Sequence, residues 1–95
     1  MPLFVLSCID KPDSHALRAA NRAAHIGYFG AHPATRLGGP FMDEAERPVG
    51  SMIIVETGDA AAALKISQSD PYRLADLYER VDIREWRHAA GAIPG

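Results

Sequence analysis

The stretch SQSDPYRLADLYERV, Ser67 to Val81, decides how the second half of the chain is built. An Asp followed directly by Pro reads as a helix start, because the carboxylate accepts backbone N–H groups orphaned in the first turn and Pro fits the first helical position. Asp70 and Pro71 therefore end one helix and begin a short second one, read through Leu77. From Tyr78 to His88, YERVDIREWRH alternates in the manner of a strand. Upstream, GDAAAALKISQS is rich in Ala after Asp59, which predicts a helix ahead of the Asp-Pro break.

Working outward to the N-terminal half, LFVLSCI (Leu3 to Ile9) is a short apolar run stopped by DKPDS, a buried strand followed by a loop. From Ser14 to His32 the chain is free of proline and rich in Ala and Arg, with Leu17, Ala20, Ala24, Tyr28 and Ala31 at helical spacing. Gly27 and Gly30 each cost this helix about 1 kcal/mol relative to Ala. ATRLGGPF (Ala34 to Phe41) predicts a strand that breaks at Gly39 and Pro40, and MDEAERP a charged loop. VGSMIIVET (Val49 to Thr57) is the clearest strand, and its period of two places Ser51, Ile53 and Val55 on one face.

The order strand, helix, strand, strand, helix, strand predicts an α+β, ferredoxin-like βαββαβ fold, an antiparallel four-stranded sheet with its helices on one face. The other face has no cover within the chain. An apolar sheet face left open calls for a second copy, so a homodimer is expected, with Ile53 or Val55, whichever points outward, in the interface.

Ninety-five residues make one domain, 1–95, with AAGAIPG from about residue 89 as a loose tail. A composition of 47% hydrophobic and 23% charged residues is that of a soluble globular protein, and no apolar run approaches the roughly 20 residues that cross a bilayer. The opening MPLFVLSCIDKPDS lacks a basic leader region, so the expected location is cytoplasmic and no membrane partner is expected. The single cysteine, Cys8, sits in the first apolar run and reads as core. Net charge is −2 and the ten Lys and Arg residues are scattered, without the basic stripe of a nucleic-acid binder.

Among the polar residues, Arg18, Arg22, His25 and Phe29 are spaced to share one strip of the first helix. His25 is either a half-buried helix histidine or a proton carrier, His being the side chain that titrates nearest neutral pH. The other histidines, His15, His32 and His88, form no HxxxH or HExxH pattern, and no metal site is expected. LGGP lacks the spacing and the following helix of a phosphate cradle, so no cofactor is expected either. Ser51 lies in no GxSxG elbow and suits a hydrogen bond to a ligand, not nucleophilic attack. Tyr72 and Trp86 suit core or dimer contacts, or a stacking wall for an aromatic ligand.

Taken together, RAAHIGYF (Arg22 to Phe29), GGPF (Gly38 to Phe41), GSMIIVE (Gly50 to Glu56), SDPYRLADLYERVDIREW (Ser69 to Trp86) and the opening strand with Asp10 resemble the YciI-like, or YCII-related, domain family, in order and over nearly the whole chain. The resemblance implies a dimeric α/β barrel-type assembly, akin to muconolactone-isomerase-type proteins, with a pocket between sheet and helices. It implies His25 and Asp70 as a catalytic pair, and it matches the family's arginine to Arg22, its Gly-Pro to Gly39 and Pro40, and its Gly-Ser to Gly50 and Ser51. The chain departs from the pattern at Asp76, where the family has the glycine of AGL, and at Glu85, where a proline often precedes the last aromatic residue.

An ionised carboxylate accepts about four hydrogen bonds, so Asp70 can cap the short helix and still orient the His25 imidazole as a general base. On this reading the chain is a small enzyme that moves a proton on a cyclic or aromatic-derived metabolite, by isomerisation or by elimination such as dehydrochlorination. Substrate contacts are expected from Arg22, Gly39, Pro40, Ser51 and Tyr72, to a small ligand that is anionic or aromatic. The alternative is a non-catalytic dimeric ligand-binding or accessory protein.

Overall fold

The computed structural model describes residues 1–92. Its elements are β1 (Leu3–Asp10), α1 (His15–Ala31), β2 (Thr35–Met42), β3 (Pro48–Glu56), α2 (Ala60–Gln68), α3 (Pro71–Leu74) and β4 (Tyr78–Trp86). The strands form one antiparallel sheet in the order β2-β3-β1-β4, the ferredoxin-like βαββαβ arrangement expected from the sequence.

Alternation along the two inner strands builds the core. Phe4, Leu6 and Cys8 of β1 and Ile53 and Val55 of β3 point to the same side, where Phe29, Ala63, Ile66 and Tyr72 of the helices cover them. The opposite side carries Val5 and Ile9 of β1, Leu37 and Phe41 of β2, Met52 and Ile54 of β3 and Trp86 of β4, placed there by the strand register. Ser51, Ile53 and Val55 do share a face, but neither Ile53 nor Val55 points outward. Both are buried under the helices, and the outward residues of β3 are Met52 and Ile54.

Three local readings change in the folded chain. The short helix stops at Leu74, not at Leu77: Asp76 takes a left-handed φ of 61°, and this turn sends Leu77 into the core. A glycine adopts that conformation freely, which is the physical sense of the AGL pattern from which the chain departs. β2 does not break at Gly39 and Pro40 but continues to Met42. It is an edge strand, where the missing proline N–H is tolerated, and register shifts flank the segment.

The third change concerns α1. The expected apolar stripe is mostly exposed at Leu17, Ala20, Ala24 and Ala31, and the buried residues of the helix are Arg18 and Phe29, with His25 and Tyr28 half-buried beside them. The helix therefore turns its polar strip inward, because Arg18 finds partners there that offset its desolvation. Of the tail expected from about residue 89, residues 89–92 form no helix or strand and 93–95 lie outside the described residues.

Gly50 is set by close approach. A Cβ at this position would lie 2.5 Å from the Cys8 carbonyl oxygen and 3.1 Å from the Phe41 ring. Gly50→Ala should therefore destabilise the domain by about 2–3 kcal/mol, a drop of roughly 10 °C or more in Tm, read by thermal denaturation. An unchanged Tm would mean that β1 and β3 are not in this register.

Candidate active site

The inward-turned strip of α1 faces a cleft of about 810 Å³ whose other wall is β2 and β3. His25 lines it with its side chain 12% exposed, and its Nδ1 lies 2.7 Å from Oδ1 of Asp70. Asp70 is 1% exposed and engages three donors. Oδ1 also accepts the Tyr72 backbone N–H at 2.9 Å, the N-cap bond of α3, and Oδ2 accepts the Tyr78 hydroxyl at 2.6 Å. Capping and pairing with His25 thus occur together.

This geometry assigns the imidazole tautomer. Asp70 offers only lone pairs, so Nδ1 carries the proton and donates it, which leaves Nε2 as the acceptor. Nε2 has no hydrogen bond to any described residue. The ring is held flat against Tyr72, with centroids 3.9 Å apart and planes at 19°, and Phe29 meets it edge-on at 5.1 Å. Burial, followed by the nearby Cys8 and Asp70, raises the pKa of Tyr78, so its hydroxyl remains a donor to Asp70.

Two turns before His25, Arg18 is 5% exposed. Its Nε donates to Asp10 Oδ2 at 2.9 Å, and its Nη2 donates to Ser51 Oγ at 2.7 Å and to the Gly50 carbonyl. Its guanidinium stands over the Tyr72 ring, 4.6 Å from the centroid. Burial works against the charge, but the contacts with Tyr72 and Asp10 hold the Arg18 pKa above its ordinary value. The same ring therefore steadies both Arg18 and His25. Among the described residues the cleft lining includes His15, Arg18, Arg22, His25 and Arg47 and no carboxylate, so its electrostatic bias is toward anions.

The residues singled out from sequence come together here. His25 and Asp70 are bonded. Arg22, Gly39, Pro40, Ser51 and Tyr72 all line the cleft, Arg22 from the exposed side of the strip and Ser51 as a buried acceptor for Arg18. Sequence reasoning gave no role to Tyr78, to the Arg18–Asp10 pair or to Arg47. The Arg18 signal was its place on the His25 strip, but Tyr78 reads only as the first residue of a strand, and nothing local ties it to Asp70.

A family model described as the YCII-related domain matches residues 2–87. Among solved structures, the chain is similar to the 5-chloro-2-hydroxyhydroquinone dehydrochlorinase TftG from Burkholderia phenoliruptrix AC1100 in complex with 2,5-dihydroxybenzoquinone, at 27% identity and a TM-score of 0.82, covering 92% of this chain and 95% of that one. Rv0793 from Mycobacterium tuberculosis (17% identity, 97% and 99% coverage, TM-score 0.61) and PA3566 from Pseudomonas aeruginosa (17% identity, 94% and 95% coverage, TM-score 0.62) share the fold. A comparison with curated proteins gave no match.

Cys8 reports on the buried charge at this site. Burial, and secondarily the Asp70 carboxylate, pushes its thiol up to about 12. At pH 8 on the order of one Cys8 in ten thousand is then thiolate. Iodoacetamide should label Cys8 completely in denaturant and negligibly in the native protein over the same incubation, read by mass spectrometry. Rapid native labelling would mean that the thiol is not held in this environment.

Proposed function

This chain belongs to the YCII-related domain family, and from its site we propose that it is an enzyme that moves a proton on a small cyclic or aromatic-derived metabolite. The observation that carries the reading is the 2.7 Å bond from His25 Nδ1 to a buried Asp70, beside a cleft lined by arginines and, among the described residues, by no carboxylate. Nε2 of His25 takes a proton from a carbon or oxygen of the substrate, and Asp70 stabilises the imidazolium that forms. The electron pair left on the substrate is stabilised as an anion by the positive charge that Arg22 and Arg18 give this side of the cleft.

Two outcomes follow from that anion. In isomerisation the imidazolium returns the proton to a second atom of the substrate. In elimination the electron pair forms a new double bond and expels a neighbouring leaving group such as chloride, while the proton stays on His25 until solvent takes it. The dehydrochlorinase activity named for TftG supports the second course and motivates the first substrate to try. Gly39, Pro40, Ser51 and Tyr72 form the walls against which the ring lies in this reading.

The test is chloride release from 5-chloro-2-hydroxyhydroquinone, alongside thermal-shift screening of phenols, lactones and quinones. Asp70→Asn keeps an N-cap acceptor, so the protein should stay folded while turnover falls by about 10²–10⁴ and His25→Ala abolishes it. Imidazole NMR should show the Nδ1–H tautomer in the wild type, and the Nδ1 proton should move upfield in Asp70→Asn, where a neutral amide oxygen replaces the charged acceptor. Ligand-induced shifts without turnover of any compound would move the assignment to the binding-protein alternative, and an Nε2–H tautomer in the wild type would remove the dyad.

We further propose that the protein works in the cytoplasm as a homodimer formed through the open sheet face. The apolar residues Val5, Leu37, Phe41 and Met52 on that side have no covering element among the described residues, and a second copy supplies one. Sedimentation should give twice the 10.3 kDa chain mass at micromolar concentration. Met52→Glu, which puts a charge in the middle of that face, should give monomer or aggregate, whereas a soluble wild-type monomer would overturn the assembly.

A further inference from the structure

The cleft is larger than a single ring requires, and its charge is distributed unevenly along its length. An apolar cavity of roughly 150 Å³ already holds a benzene ring, against about 810 Å³ here. At 1.5 Å per helical residue, Arg22 stands about 4.5 Å, Arg18 about 10 Å and His15 about 15 Å from His25 along the axis of α1, all on its N-terminal side. Arg47 joins them at that end, next to Pro48, which shares a second small hollow with Ser14 and His15. Beyond His25 in the other direction, the lining of Ile26, Phe29, Gly30 and Thr35 carries no charge.

These cations differ in how far their charge is already met. Arg18 is paired with Asp10 and Arg47 with Asp43, whereas Arg22 makes no ion pair or side-chain hydrogen bond among the described residues. An arginine that faces a cleft with no carboxylate among its described lining residues, one turn from the proton carrier, is a ready partner for an acidic group on the ligand.

On the reading of His25 as the proton carrier, we propose that the ligand is an amphipathic anion, an apolar ring bearing a carboxylate or similar acidic group on a short tail. It lies along α1 with the acidic group at Arg22 and toward Arg47, the reacting atom at His25, and the ring toward Phe29. The two ends of the cleft then select different parts of one molecule: the cationic end requires the acid and the uncharged end excludes it. A ring without the acidic tail leaves the cationic end solvated and binds more weakly.

The probes are 3-(4-hydroxyphenyl)propionate and its uncharged amide, titrated by calorimetry at low salt. The acid should bind about tenfold tighter than the amide to the wild type, with the preference shrinking as salt is added. Arg22→Gln, a change on an exposed position that leaves the fold intact, should reduce the preference to near unity. Ring protons of the bound acid should give NOEs to Phe29 and none to His15. Equal affinity for acid and amide, an acid preference that survives Arg22→Gln, NOEs to His15, or binding of neither probe would overturn the proposal. Chloride release separates this from the proton-transfer reading. Turnover without acid preference removes only the ligand class, and acid preference without turnover of any compound keeps the ligand class and removes the chemistry.

Discussion

A carboxylate taken out of water needs donors for the lone pairs it gives up, and Asp70 has them from three separate elements. The Tyr72 N–H belongs to α3, the Tyr78 hydroxyl to β4 and the His25 Nδ1–H to α1. Burying an unpaired charge costs several kcal/mol, so each donor is held in place by the cost of losing it. Asp70 thereby fixes the angle at which the chain leaves α2, the place where β4 begins and the depth at which α1 sits on the sheet. The capping bond and the histidine bond are two parts of one constraint.

Arg18 forms the second buried charge, and it explains why α1 packs with its polar strip inward. Four partners, Asp10, Gly50, Ser51 and the Tyr72 ring, receive a guanidinium whose burial would otherwise be unfavourable. One oxygen of Asp10 has no hydrogen-bond partner among the described residues. Tyr72 lies between the two charge systems in the sense that both rest on its ring. A rigid aromatic surface of this kind holds the imidazole and the guanidinium at fixed separation, the preorganisation that proton transfer to a bound molecule requires.

Much of this was legible beforehand. The strand that begins at Leu3 shows in its short apolar run, that of Ile53 and Val55 in its period of two, and the Asp-Pro pair in the chemistry of helix starts. In the sequence only the family resemblance makes partners of His25 and Asp70, because 45 residues separate them and no local pattern links them. The α1 stripe misled for a physical reason. Apolar periodicity reports the buried face only when burial is apolar, and here the buried face carries an arginine and a histidine with dedicated partners. Leu77 and Asp76 misled for another, since a single residue in the left-handed region ends a helix without any proline or glycine to mark it.

What the sequence by itself determined was the succession of elements, and hence the antiparallel sheet with helices on one side, because period and punctuation are properties of neighbouring residues. It also determined which residue types were present to do proton chemistry. Only the tertiary structure decided that Tyr78 completes the donors of Asp70, that Arg18 is buried while Leu17 is exposed, and that the cations of α1 and Arg47 gather at one end of a cleft. Those facts depend on which distant groups meet once the sheet register is set, and on the desolvation cost that each meeting must offset, and neither quantity is carried by a residue and its neighbours along the chain.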